Sequence, residues 1–191
     1  MNTHTLVKAC LKGNEQAQKQ LYDAFASQMM GVCYRFTKSA EDAEDVSQEV
    51  FIQVYESIKS FKGDSKFSTW IYRIAVTKSL DLLRRKKRKK RFAFIQSLFG
   101  KNDELINDPP DFYHPGVAAE NKENAAVLFK AIAALPENQH TSFVLSKIEG
   151  LSYQEVSEVM QMTEASVVSL LHRAKTNLRK TLGDHYRNSK I

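Results

Sequence analysis

Strand-like alternation of apolar and polar residues is scarce in this sequence of 191 residues, so a sheet-built fold is not expected. Cysteine is scarce too. Cys10 and Cys33 are the only two, they form no ligand spacing, and no signal-peptide pattern precedes them. A reducing, cytoplasmic setting is therefore expected, with neither metal nor cofactor. No apolar stretch approaches membrane-spanning length. Catalytic constellations are missing as well: serines and histidines are scattered, no Gly-rich phosphate loop follows a strand, and no acid pair marks a pocket. Together these absences make an enzyme with a small-molecule substrate the least expected class.

What the chain does have is charge in one place. Net charge is +6, yet the uninterrupted run Arg84 to Arg91 alone supplies +8, leaving the remainder at −2. A local excess of this kind favours a specific anionic partner over general solubility. The run closes a stretch with helical periodicity that starts at Phe67. Ile71, Ala75 and Leu82 fall on one side, flanked by Tyr72, Val76 and Leu83. Arg73, Thr77, Arg84 and Arg88 line the other, with Trp70 and Asp81 beside them. A helix with a buried side, a cationic side and an aromatic entrance suits nucleic acid lying along it. The plainer reading is a solvated basic tail on an ordinary helix, with solvent absorbing the self-repulsion.

Apolar content of 42% suffices for packed cores, and the length suits one large or two small domains. Leu6 to Leu11 reads as a short helix stopped by Gly13. Asn14 is placed to cap the next, whose inward residues are Leu21, Tyr22, Phe25, Met29, Val32, Cys33 and Phe36. Over 42–58, Val46, Val50, Val54 and Ile58 step by four along a buried side, and Asp42, Asp45, Gln48, Glu49, Gln53 and Glu56 make a mainly acidic surface. Simple solvent exposure accounts for such a surface, with acids suited to the helix start. Beside a cationic helix, however, it would repel the phosphates its neighbour attracts, so a protein partner with basic residues is the sharper expectation. The loop 60–68 carries a Gly63-Asp64 turn, with Ser65 or Ser68 placed to cap the basic helix. Phe61, Phe67 and Trp70 bracket it. Beside cations they suit stacking on unpaired bases, and equally they suit inward packing.

Residues 93–120 break the pattern. Three of the four prolines, Pro109, Pro110 and Pro115, lie there with Gly100, Gly116 and the acids Asp103, Glu104, Asp108 and Asp111. A linker is expected, with Phe94, Ile95, Leu98 and Phe99 forming one docking turn at its start. Domains of 1–92 and 121–191 follow. In the second, Val127, Leu128, Ala131, Ile132 and Leu135 share a face. Pro136 opens a helix with Phe143, Val144 and Ile148, and Gly150 stops it. Ser152 to Glu155 is a capping box for a short helix with Val156, Val159 and Met160 inward. After a turn at Gln161-Met162, Thr163 caps a last helix that buries Val167, Leu171, Ala174, Leu178 and Leu182. Two helices joined by a tight turn match a helix-turn-helix, although glycine often stands where Gln161 does and a three-helix bundle shares the periodicity. Outward on the last helix, small residues near its start permit close approach to base edges, and His172 and Arg173 reach bases or phosphates.

Together these residues resemble the sigma factors of bacterial RNA polymerase, of the compact two-domain extracytoplasmic-function (ECF) group. Asp42-Ala-Glu-Asp45-Val-Ser-Gln48-Glu49-Val-Phe51 is similar to that family's polymerase-binding helix. Trp70-Ile-Tyr-Arg-Ile-Ala, followed by Asp81-Leu-Leu-Arg84-Arg85, is similar to its promoter-opening helix. Leu151-Ser-Tyr-Gln-Glu-Val, with His172-Arg-Ala-Lys175, is similar to its second DNA-binding domain. The likeness covers nearly the whole chain, in order.

The resemblance implies an all-α fold: two small helical domains joined by a flexible linker, the C-terminal one a helix-turn-helix. It makes 1–92 sigma region 2, 93–120 the linker toward the RNA exit path, and 121–191 sigma region 4. By position, Asp42, Asp45, Gln48, Glu49 and Gln53 would face the clamp helices of core RNA polymerase. Phe61, Lys62, Ser65, Phe67 and Trp70 would receive a base flipped from the promoter's minus-ten element. Arg73, Thr77, Lys78, Arg84 and Arg85 would hold the opening DNA. Ser166, Val168, Ser169, His172, Arg173 and Thr176 would enter the major groove of the minus-thirty-five element. An anti-sigma factor is a further partner implied. Val168 and Leu170 stand where the family often has basic residues, and Thr77 where asparagine is common. The competing classes are a free-standing helix-turn-helix regulator and an RNA-binding or scaffold protein using the basic run.

Overall fold

The computed structural model describes residues 3–99 and 119–188, with side chains described for 3–92 and 125–183. Among the described residues there are eight α-helices and no strand, as the scarcity of alternation predicts. The chain divides into two compact units, Met1–Asp111 and Phe112–Ile191. The expected linker falls mostly outside the described residues, as do the side chains of Phe94, Ile95, Leu98 and Phe99. The backbone of 93–99 continues the preceding helix, so a boundary at residue 92 falls inside a helix.

In the first unit, α1 (Thr3–Leu11) lies on α2 (Glu15–Thr37), and α2, α3 (Ala40–Ser57) and α4 (Phe67–Phe99) pack on one another. Local chemistry sets the boundaries. Asn14 Oδ1 accepts from the Ala17 N–H at 2.9 Å, which starts α2. Lys38 ends it in the left-handed region, φ 59°, its N–H donating to the Tyr34 carbonyl. Ser39 then caps α3 through the Asp42 N–H. A short 3-10 turn, Ile58–Ser60, follows, and α4 opens at Phe67, where the Trp70 N–H reaches the Lys66 carbonyl. Ser68 therefore sits inside the first turn rather than ahead of it.

The core is the apolar set that the spacing predicts. Leu21, Met29, Val32 and Cys33 of α2, Val50 and Val54 of α3, and Ile71 and Ala75 of α4 are fully buried. Each larger aliphatic among them contributes about 1.5–3 kcal/mol by leaving water. Polar ties also cross the bundle: Tyr55 O–H donates to the Gln18 carbonyl at 3.0 Å, and Gln28 Nε2 donates to the Tyr72 hydroxyl at 2.8 Å. Tyr22 departs from expectation. It is 45% exposed and covers Phe51 from outside, with ring centroids 4.7 Å apart. Burial pushes the Cys33 thiol up to about 11, against smaller opposing effects of Ser79 and its own backbone. A thiol held protonated in this way is an inert core group.

The second unit gathers on α8 (Glu164–Asn188), which touches α5 (Ala119–Ala133), α6 (Glu137–Phe143) and α7 (Tyr153–Met160). Its buried seam is Val167, Leu171, Ala174 and Leu178. Pro136 is the N-cap rather than the first helical residue of α6. α6 passes into a π-type turn, Val144–Ile148, before Gly150, φ 74°, ends it. Leu128, expected to face inward, is 39% exposed. The capping box is present: the Glu155 N–H donates to Ser152 Oγ at 3.2 Å, and the Ser152 N–H to Glu155 Oε2 at 2.9 Å. α7 closes at Gln161 with φ 54° and ψ 48°, the conformation glycine usually takes at a helix end.

A side chain in that region costs about 1–2 kcal/mol. Gln161→Gly is therefore expected to stabilise the second unit by about 0.5–1 kcal/mol after glycine's own entropy cost. The readout is a higher urea midpoint for loss of helical signal. An unchanged or lower midpoint would mean that contacts of the Gln161 side chain offset the strain.

Candidate nucleic-acid interface

Along α3, Asp45, Gln48 and Glu56 are exposed, while Asp42, Glu49 and Gln53 are half-buried. Two of these acids reach the cationic helix. Lys86 Nζ lies 2.6 and 2.5 Å from the Asp42 carboxylate oxygens, and Lys78 Nζ lies 3.4 Å from Glu49 Oε2. The register, 42 with 86 and 49 with 78, is antiparallel. From sequence alone the acidic and the cationic helix are expected to differ in role; antiparallel packing instead lets them neutralise each other in part. Ile52, which sequence reasoning passed over, stands 57% exposed one turn beyond Gln48 and Glu49. Its signal was an apolar residue at a polar position of the repeat.

Between α3 and α4, Phe61, Phe67 and Trp70 join Phe25 of α2 in one aromatic cluster, with neighbouring centroids 5.4–5.5 Å apart. Phe67 does not stand at the loop mouth for stacking. It is 5% exposed, held inward among Phe25, Phe61 and Trp70. Phe61 and Trp70 are half-buried, Lys62 is exposed and Ser65 half-buried. A cavity of about 470 Å³ opens at the cluster, lined by Phe25, Phe61 and Phe67, by Lys62, Gly63 and Ser65 of the loop, and by Thr3, His4 and Val7 of α1. Nothing in the local spacing ties α1 to this loop, and its part in the cavity was not anticipated.

Down α4, Arg73, Thr77, Arg84 and Arg85 are exposed and Lys78 is half-buried. Arg84 Nη1 also meets Asp81 Oδ1 at 3.3 Å. An open groove of about 770 Å³ brings Lys78, Arg84, Arg85, Arg88 and Arg91 opposite Glu49. Arg73 and Thr77 line neither hollow. Residues 84–91 occupy about two turns, so their charges ring the helix rather than stripe it.

In the second unit, Thr163 caps α8 by accepting the Ser166 N–H at 3.3 Å, and the two hydroxyls meet at 2.9 Å. Ser166, Val168, Ser169, His172, Arg173 and Thr176 are all exposed. Val168, Ser169, His172, Arg173 and Thr176 follow the helical repeat along one face. The Thr176 hydroxyl donates to the His172 carbonyl at 3.1 Å, which leaves its methyl as the outward contact. Among the described residues no group of three or more His, Cys, Asp or Glu could hold a metal ion, and no helix is long and apolar enough to cross a membrane.

Residues 21–89 match the family model Sigma-70 region 2, and residues 126–178 match Sigma-70, region 4. The ECF RNA polymerase sigma factor SigW of Bacillus subtilis is 31% identical over 180 residues, covering 93% of this chain and 95% of that protein. The chain belongs to the ECF sigma factors. As such it is a transcription-initiation protein of the sigma-70 family. The RNA polymerase sigma-H factor of Pseudomonas aeruginosa is 32% identical to this sigma factor over 177 residues, covering 93% of this chain and 92% of that one. In fold it is similar to CnrH, solved in complex with the cytosolic domain of CnrY: TM-score 0.68, 22% identity, 94% of this chain and 96% of that chain. It is also similar to the RpoE sigma factor of Bartonella quintana, solved with the anti-sigma factor NepR: TM-score 0.64, 19% identity, 86% of this chain and 96% of that chain.

The Asp42–Lys86 contact joins a lysine still half in water to an acid whose side chain is 16% exposed. A double-mutant cycle with Asp42→Ala and Lys86→Ala is expected to give a coupling of about 0.5–1 kcal/mol in denaturant unfolding, the upper part of the range for surface pairs. The same cycle on Glu49 and Lys78, longer and more exposed on the acid side, should give less. Equal couplings would remove the distinction between the two pairs.

Proposed function

We propose that this ECF sigma factor binds core RNA polymerase through α3, captures and holds the opened minus-ten element with the loop cavity and α4, and reads the minus-thirty-five element with α8. The observation that carries this reading is an aromatic-floored cavity at the head of a cationic helix, its aromatic lining within the residues similar to sigma-70 region 2. Taking a base out of the stack costs a few kcal/mol. Stacking on an aromatic ring returns about 1–3 kcal/mol per base. Phe61 supplies the more accessible ring, Phe25 and Phe67 complete the aromatic lining, and Trp70 packs against Phe61 and Phe67 without lining the cavity itself. Lys62 and Ser65 stand at the rim. Arg73, Thr77, Arg84 and Arg85 hold the strand, and Lys78 exchanges Glu49 for phosphate.

On α3, Asp42, Asp45, Gln48, Glu49 and Gln53 face basic residues of the polymerase clamp helices. Ile52 adds an apolar centre to a polar surface, the arrangement of a protein interface. On α8, Ser166, Ser169, His172 and Arg173 meet bases and phosphates, and the methyls of Val168 and Thr176 suit a thymine methyl. Residues 1–92 thus act as region 2 and 121–191 as region 4, with 93–120 between them. The protein works in the cytoplasm and carries out no catalytic chemistry of its own. An anti-sigma factor is a fitting regulator, since CnrH and the Bartonella protein adopt this fold in complexes with CnrY and NepR, the latter an anti-sigma factor. The test is run-off transcription: core enzyme with a cognate promoter should give a defined transcript only when this chain is added. Core enzyme that responds no better with the chain than without it would overturn the reading.

Charge reversal at exposed Asp45, Asp45→Lys, combined with a new cation at exposed neutral Gln48, Gln48→Lys, is expected to weaken core binding by roughly 2 kcal/mol for each interfacial pairing it breaks, while the helical signal stays unchanged. Normal binding by a well-folded double variant would move the polymerase surface elsewhere. For α8, Arg173→Ala should lower affinity for minus-thirty-five duplex by about 1–3 kcal/mol if it reads a base. The loss should appear only on the preferred sequence. An equal loss on every duplex would assign Arg173 to phosphate instead.

A further inference from the structure

The cavity at the head of α4 has a wall that the region 2 match does not contain. That match begins at residue 21, and α1 precedes it. Yet Thr3, His4 and Val7 line the cavity together with Phe61, Lys62 and Ser65. α1 is fixed in this position. Leu6, Val7 and Cys10 are 6%, 4% and 4% exposed, and the helix packs on α2 and on the 3-10 turn that leads into the loop. One face of α1 therefore belongs to the core, and its first turn borders the cavity. There Thr3 is half-buried and His4 exposed.

We propose that α1 is part of the base-capture site, and that His4 and Thr3 help determine which base is accepted. This rests on the capture of a flipped base proposed above. The aromatic floor cannot discriminate, because every base presents a π-face to a ring. Discrimination falls to polar groups that meet the edge of the extruded base. From the loop, Lys62 and Lys66 offer donors and no acceptor, while the hydroxyls of Ser65 and Ser68 offer both. A neutral imidazole and a hydroxyl each offer both a donor and an acceptor. His4 and Thr3 thus add hydrogen-bonding groups from α1 to the loop's lysines and hydroxyls, and widen the set of base-edge atoms that the cavity can read. Without α1 the cavity would be open on that side, and a base stacked there would meet water at one edge.

The experiment uses holoenzyme and a fork-junction DNA library in which the unpaired minus-ten positions of the non-template strand are randomised. Bound molecules are recovered and sequenced. Wild-type holoenzyme should enrich one base at one position through this cavity. In the Thr3→Ala, His4→Ala double variant, enrichment at that position should fall about fivefold, the equivalent of one neutral hydrogen bond. Enrichment elsewhere should hold, as should core binding and the thermal midpoint. His4→Gln, which keeps a donor and an acceptor, should restore part of the preference. Weakening spread equally over all positions would make α1 merely structural, and no change at all would remove it from the site; either result overturns the proposal. If wild-type holoenzyme enriches no base, and 2-aminopurine placed across the element never changes in fluorescence, base capture itself fails and the role of α1 falls with it.

Discussion

The first unit depends on how α4 is anchored. Its early turns bury Ile71, Tyr72, Ala75, Val76 and Ser79 against α2 and α3, and the next turns carry eight cations in a row. Like charges four residues apart destabilise a helix by about 0.2–0.5 kcal/mol per pair, and the run Arg84 to Arg91 contains four such pairs. The total, about 1–2 kcal/mol, is matched by burying one side chain the size of Ile71. Asp42 relieves part of it by holding Lys86. The helix can therefore present an unfavourable charge density because its other half is fixed by ordinary packing.

What could be read from the sequence was what the chain settles locally. Asn14, Thr163 and the Ser152–Glu155 pair cap helices through groups three residues apart, and spacing alone exposes them. The buried seams of α3, α4 and α8 follow the same local repeat. Pairings that depend on the register between helices were not legible. The meeting of Asp42 with Lys86 follows from antiparallel packing of α3 on α4, which neither segment encodes by itself. Phe67 reads as well for a loop mouth as for a core; the presence of Phe25 across the bundle decides the matter. The approach of α1 to the loop is the most distant case, since it needs α2 to bring the two together.

The second unit bears on the departures from the family pattern. Leu170 is half-buried, so one of the two positions where basic residues are common is partly turned from solvent in this chain. Val168 is 48% exposed and offers only methyl groups. On the proposed reading, phosphate binding by α8 passes to exposed cations further along the helix, among them Arg173, Lys175 and Arg179. That shifts the grip away from the helix start, where small residues leave room for base edges.

The ring of charge on α4 has a physiological side. Eight residues of helix span about 12 Å, the length of three or four phosphate steps along one strand. Because the cations point all around the axis, a passing strand meets some of them at any rotation and at any sequence. Such binding releases counterions, and its strength falls steeply as salt rises. On the proposed reading, this part of the protein's hold on DNA would be tuned by the ionic composition of the surrounding fluid. A cell that concentrates or dilutes its internal salts in response to its surroundings would change that hold without any dedicated receptor.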